Sequence, residues 1–521
     1  MAILSKSRLM AFRQCPKRLW LEVHQPHLRD DSSATEANFA TGNEVGAIAR
    51  SVYDADGTGA FLDIQGLTLN GLMEATRGLL NERRRIFEAG FTIGDMARGE
   101  RVITDILEPD SDGRSWHMVE VKSSASVKDY HLEDAAIQYY VATAAGVRLA
   151  SLYVAHIDTK WVYPGGGDYL GLFTEQDVTD QAKLRQKDVK QWIDEAHGVA
   201  ALAEPPAMEI GGHCDTPYPC GFAGHCEKEH EAHHGVAQHP ITWLPRLGAN
   251  RRIAEHIEST GARSMDELPD DLLNPTQLRV KQQTLSGRPW FDQRGAAEEL
   301  ARHRLPALFL DFETIGFAVP RWAGTRPFDQ IPFQFSVHRL SRTGKVDHAG
   351  FLDLTGNDPR QSFARALVDA CGTTQPIFVY NRGFEAGRIQ ALADALPSLR
   401  RTLLAILDRL VDLLPIARTY YYHPDQQGSW SIKKVLPTIA PELSYDKLGD
   451  VQDGGGAQLA YLEAITPEAS PQRIVELRDG LWRYCRMDTF AMVRLWAHFA
   501  GRANFVGCSD DAASRKLEAS A

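Results

Sequence analysis

The stretch 308–316, Leu-Phe-Leu-Asp-Phe-Glu-Thr-Ile-Gly, constrains this chain more than any other. Its apolar opening reads as a short buried strand, with Asp311 and Glu313 two residues apart at its end. Side chains alternate faces along an extended chain, so both carboxylates point the same way. Like charges held side by side repel unless a cation lies between them. A surface strand of alternating charge is the plain alternative, but the apolar residues before Asp311 suit a buried strand better. The pair therefore reads as half of a carboxylate cage for magnesium or manganese, and such a cage needs further acids downstream.

Two segments supply them. Residues 376–385, Pro-Ile-Phe-Val-Tyr-Asn-Arg-Gly-Phe-Glu, read as a second apolar strand, a turn and a helix opened by Glu385. Residues 481–488, Leu-Trp-Arg-Tyr-Cys-Arg-Met-Asp, are helical in character and place Tyr484 and Asp488 four apart, on one helix face. With these residues the sequence resembles the DEDD exonucleases of the ribonuclease H-like fold, in their tyrosine-bearing branch. The resemblance implies metal ligation by Asp311, Glu313, Glu385 and Asp488, a water-orienting role for Tyr484, and 3′-to-5′ polarity. The chain departs from that pattern at Glu385, where aspartate is usual.

A second constellation lies upstream. Ile103-Thr-Asp105 is followed by Met118-Val-Glu120-Val-Lys122, so Glu120 and Lys122 share one strand face and Asp105 can meet them across a hairpin. Such acids can hold a divalent cation while the ammonium helps to position water. A hairpin with a solvated Glu/Lys face is the alternative. Gln138-Tyr-Tyr on the next helix completes a resemblance to RecB-like nucleases of the PD-(D/E)xK type. That resemblance implies metal ligation by Asp105 and Glu120, catalysis by Lys122 and a supporting polar role for Gln138. Ala142 stands where that family usually carries tyrosine, and the early-helix histidine is absent.

Cys214, Cys220 and Cys226 recur at intervals of six, separated by proline and glycine that make the chain turn repeatedly. Thiolates suit an iron–sulfur cluster or zinc, with Cys15 as the fourth ligand. RecB-like nucleases with an iron–sulfur staple place one cysteine before the nuclease core and three after it, and this layout is similar. The implied cofactor is a [4Fe–4S] cluster clamping the ends of the domain. Zinc held with His225 or His230 is the alternative, although structural zinc usually gathers closely spaced ligand pairs.

At 521 residues, 43% of them apolar, two or three domains are expected. The expected fold is α/β: a restriction-endonuclease-like domain over 1–235, a helical connector over 236–304, a ribonuclease H-like domain over 305–500 and a disordered tail over 501–521. Strands are expected at Ile86–Phe91, Arg101–Leu107, Trp116–Val121 and 148–155, and again near 308, 333 and 377. Helices are expected over 1–30, 36–55, 68–85, 128–145 and 180–200, and a Cys/His-rich loop over 205–235. A net charge of −11 argues against coating nucleic acid through overall charge, but permits local basic grooves. No apolar run reaches the roughly 18 residues of a membrane span, and the N-terminus lacks a signal-peptide core. A cytoplasmic protein without membrane partners is expected, its seven cysteines serving as thiols or metal ligands before disulfides.

Beyond the motifs, the tyrosine run 420–422 with Trp430, Lys433 and Lys434 is suited either to stacking bases and holding phosphates or to forming core. Asp412 reads as making a structural hydrogen bond, with assistance to metal binding as the alternative. The tandem layout resembles a bacterial family of uncharacterised two-nuclease proteins. The expectation is a metal-dependent nuclease acting on DNA or RNA, single-stranded or with free ends. A nucleic-acid-binding scaffold with decayed sites is the alternative.

Overall fold

Apolar and β-branched residues draw 86–93, 100–109, 116–122 and 149–157 into strands, where alternate side chains reach a core. The computed structural model describes residues 3–94, 99–443, 445, 449 and 451–505. The fold is α/β, and the chain divides into Met1–Val236 with Phe317–Asp329, and Ala237–Gly316 with Gln330–Ala521.

The first unit holds β1 (Leu4–Ser5), β2 (Ala60–Phe61), β3 (Ile86–Ile93), β4 (Glu100–Pro109), β5 (Trp116–Lys122), β6 (Leu149–Ile157) and β7 (Phe173–Asp177). They form one sheet in the order β2-β3-β4-β5-β6-β7, with β1 pairing parallel to β4. The helix Asp129–Ala144 covers it, burying Ala135, Ile137 and Val141 against Ile86, Met118 and Leu152. One edge of β4 pairs with β3 from Glu100 to Leu107, omitting Asp105. Its other edge pairs with β5 only as far as Ile106↔Val119, then with β1 at Glu100 and Arg101. The sheet therefore forks beside Asp105 and Glu120. The segment 205–235, expected as a loop, contains a helix over Ala223–His234; its dense His and Glu hide any apolar face from sequence.

The second unit holds β8 (Trp290–Phe291), β9 (Ala307–Ile315), β10 (Ile331–Leu340), β11 (Val346–Leu352), β12 (Ile377–Val379), β13 (Leu410–Asp412) and β14 (Tyr421–Tyr422). The main sheet runs β11-β10-β9-β12-β13, antiparallel at β10 and parallel across β9, β12 and β13. Leu308, Leu310 and Phe312 of β9 pack on Phe363 and Leu367. The opposite face carries Asp311 and Glu313 toward the helix Pro471–Phe499, whose Cys485 Sγ lies 3.9 Å from the Asp311 carbonyl oxygen. Residues 237–304 cluster with this unit, whereas 317–329 cluster with the first. Ala503–Phe505 forms a short turn of helix, while the rest of the expected tail, with Cys508, lies outside the described residues. Among the described residues no helix is long and apolar enough to cross a membrane.

Candidate functional site

In the second unit β9 delivers Asp311 and Glu313 to one face, as the period of two requires. The ladder between β9 and β10 shifts register between Pro332 and Gln334, opposite Glu313. A bulge of this kind re-aims the neighbouring side chains. Oxygens of Asp311 and Glu313 and the Cys485 sulfur lie within 4.8 Å of one another. Asp488 joins from the helix Pro471–Phe499, where Tyr484 shares its face and hydrogen-bonds to it. The Tyr445 hydroxyl donates to Asp488 Oδ1 at 2.5 Å.

Glu385 enters from the first turn of the helix Arg382–Ala395, fully buried, with its Oε2 unpartnered. Asp412 holds that turn in place, accepting from the backbone N–H groups of Asn381 and Arg382 at 3.0 Å each. It is thus the structural acceptor that the sequence suggests.

Electrostatics tie these acids together. Burial first, then the charges of Asp488, Glu313 and Glu385, raise the Asp311 carboxyl well above its ordinary range. Glu313 is raised by burial and by Asp488, against the opposing pull of the Lys433 ammonium. Burial pushes Glu385 up to about 8 and Asp488 up to about 6. Oxygen ligands crowded in this way suit a hard divalent cation. Burial and the same acids raise the Cys485 thiol well above its ordinary range. Lys433 Nζ lies 5.1 Å from the Tyr484 ring centroid and 5.5 Å from that of Tyr445. Trp430, Tyr421 and Tyr422 are buried, so these aromatics form core rather than a base platform.

In the first unit the sheet fork becomes a charge cluster. Asp105 accepts the Val121 N–H at 2.7 Å where the ladder has ended. Lys122 and Lys6 each donate to Glu120 Oε1 at 2.7 Å, and both also reach Asp134. Gln138, fully buried, donates to Asp134 Oδ1 at 3.1 Å. Glu120 Oε2 and Gln138 Oε1 are buried without partners. Burial and the Glu120 charge push Asp105 up to about 8. Burial opposes the Lys122 ammonium, but Asp134, Glu120 and Asp105 outweigh it and hold its pKa well above the usual value. An orphaned carboxylate oxygen beside a raised aspartate fits a cation. Lys6, Asp134 and Glu88, the last held at φ 61° with Glu120 among the charges acting on it, are members that sequence reasoning missed. Only Asp134 left a signal, standing one helical turn before Gln138.

The four cysteines line one small cavity beneath the helix Pro16–His24, with Lys17, Arg18 and Phe222. Gln14 pins the loop by donating to the carbonyl oxygens of His213 and Tyr218, both at 2.8 Å. Tetrahedral zinc holds its sulfurs about 3.8 Å apart, from Zn–S bonds near 2.3 Å. Among the described residues no three of these sulfurs gather within 4.8 Å. His225 faces Glu229 and His230 faces Glu209, and neither lines the cavity. This donor set, all sulfur, suits an iron–sulfur cluster or zinc.

A family model described as a domain of unknown function, DUF2779, matches residues 308–431, a span that contains Asp311, Glu313 and Glu385. An uncharacterized protein, UU173, of Ureaplasma parvum serovar 3 is 27% identical over 164 residues, covering 29% of this chain and 23% of that protein. The chain therefore matches less than a quarter of that relative's length. A solved structure titled "Crystal structure of SSO0001" is similar at 14% identity and a TM-score of 0.24, over 43% of this chain and 86% of that one.

Proposed function

We propose that the chain is a metal-dependent nuclease whose principal site is the acid cluster of the second unit, acting from strand ends. The observation that carries this reading is the meeting of Asp311 and Glu313 oxygens within 4.8 Å, with Asp488 and Glu385 acting electrostatically on both and a Glu385 oxygen left orphaned. A buried group of like charges is tolerable only when protonated or neutralised by cations. Those four residues would hold magnesium or manganese, which when bound polarises a phosphodiester and acidifies water. Tyr484, kept as the neutral phenol by burial and by Asp488, can orient a water through its hydroxyl. Lys433, beside both tyrosine rings, moderates the negative charge and keeps Glu313 and Asp488 closer to ionised.

The test is digestion of end-labelled single-stranded DNA and RNA with magnesium or manganese. Asp311→Asn and Asp488→Asn should each lower the rate by about a thousandfold or more, the scale lost with transition-state electrostatics. Undiminished hydrolysis in both variants removes the assignment.

The first unit supports a second nuclease site of the RecB-like kind, with Asp105 and Glu120 as ligands, Lys122 as the catalytic ammonium and Gln138 in support. One observation favours the rival reading of a binding site without catalysis. Glu120 Oε1 and Asp134 are already satisfied by two lysines. Lys122→Ala in an Asp488→Asn background decides between them: residual cleavage that depends on Lys122 assigns catalysis to the fork.

A further inference from the structure

The second unit carries an open cleft of about 1040 Å³ that the acid cluster does not use. Residues 242–246 and 274–276 line it together with Tyr380, Asn381, Arg418 and the loop 427–432. In a chain of net charge −11, this lining includes Arg246 and Arg418 and no acid. Both arginines are exposed, and among the described residues neither forms an ion pair. The Arg418 charge acts on the Tyr380 hydroxyl, which fixes its side of the cleft.

Backbone conformation marks the same place. Arg246, Asn381 and Gln427 hold left-handed φ values of 54°, 78° and 51°, three of six such non-glycine residues among those described. Residues with a Cβ adopt this region reluctantly, and they collect where function fixes the backbone. Two elements lead from the cleft to the acids. Asn381 precedes the helix that bears Glu385 one turn later, and Ile432 opens the helix whose Lys433 lies beside Tyr484.

We propose that this cleft binds a single-stranded polynucleotide through its phosphodiester backbone. Delivery of the strand end to the acids rests on the nuclease reading, whereas the binding itself does not. Unpaired guanidiniums with hydroxyl and amide donors around them recognise phosphate oxygens. Trp243, half-buried, lines the same cleft, and an aromatic ring there suits base stacking.

The experiment is fluorescence anisotropy of the full chain in EDTA, with labelled oligothymidine and oligouridine about twenty nucleotides long, a few site lengths. Arg246→Gln with Arg418→Gln should weaken binding tenfold or more at low salt. The slope of log affinity against log salt should flatten by about 1.4, since each single-strand phosphate contact contributes about 0.7. Arg246→Glu with Arg418→Glu should weaken it further, while circular dichroism melts remain those of the wild type. Wild-type affinity and slope in both double variants overturn the proposal. Lost poly-glutamate binding with intact strand binding also overturns it, in favour of an acidic peptide.

Hydrolysis of thymidine 5′-(p-nitrophenyl phosphate) with manganese, a substrate too short to span the cleft, separates this proposal from the nuclease reading. Cleft variants that hydrolyse the ester normally but no longer bind or degrade strands support both. A wild type inert toward ester and strand removes the nuclease reading, and the EDTA binding result still decides the cleft.

Discussion

A buried carboxyl with a raised pKa keeps a proton in the folded chain that the unfolded chain releases. Asp105 and Glu385 are pushed to about 8, and Asp488 to about 6, from ordinary values of 3.8 to 4.5. Between about pH 4 and 8 the folded state thus binds more protons than the unfolded state. The stability these groups permit is intact below that window and is lost as pH climbs through it. Metal-free protein should therefore melt at falling temperature from pH 5 to pH 8. Manganese should restore the loss at pH 8 and do little at pH 5, because cations bind the ionised form. Glu385→Gln should raise the metal-free melting temperature at pH 8 and shrink the manganese shift; a calorimetric scan reads both. At the fork, Lys6→Ala leaves Glu120 and Asp134 short of one ammonium and should cost about 3 kcal/mol in urea unfolding, the scale of a broken buried pair. Sequence exposed the strand-end acids because the apolar residues beside them fix their face. It hid Lys6 and Tyr445, which meet their partners across 114 and 43 residues with no local pattern to mark them.

Elements were legible where one face is consistently apolar. The strands expected near 308, 333 and 377 are β9, β10 and β12, and the helix expected over 128–145 is Asp129–Ala144. β11 holds no fully buried residue and β13 is three residues long, so neither offers an apolar period to read. The aromatic run 420–422 was ambiguous for a related reason: composition alone cannot say which side faces water, and Tyr421 and Tyr422 turn out buried. The cleft depends on a contact that no propensity signals. Gly428 has φ +75°, and a Cβ there would stand 1.5 Å from the Trp243 carbonyl oxygen. Gly428→Ala should then destabilise the second unit by about 3 kcal/mol or more, through left-handed strain added to a backbone clash. Urea unfolding measures this, and a wild-type midpoint would mean that the two walls do not meet at Gly428.

For the whole molecule the overall charge is a poor guide and long-range closure a better one. A sum of −11 conceals a lining with two arginines and no acid, because a total does not say where the charges sit. Closure shows in the cysteines. Cys15 precedes the sheet of the first unit, while Cys214, Cys220 and Cys226 follow it, and all four line one cavity. Joining Cys15 to Cys214 through an inorganic core closes a loop of about 200 residues, which on chain-entropy grounds restricts the unfolded state by about 5 kcal/mol. Cys15 is the single cysteine of the cavity before the sheet, so Cys15→Ser opens this loop, whereas Cys226→Ser leaves Cys214 and Cys220 to close it. Cys15→Ser should abolish a broad visible absorption of the purified protein and lower the unfolding free energy of the first unit by more than Cys226→Ser does. Hydrolysis of the small thymidine ester, which the proposed function assigns to acids of the other unit, should persist in both variants. Colourless wild-type protein carrying one zinc ion per chain would keep the closure argument and replace the cluster. Visible absorption that survives Cys15→Ser would break the argument itself, since the loop would then be closed without its N-terminal anchor.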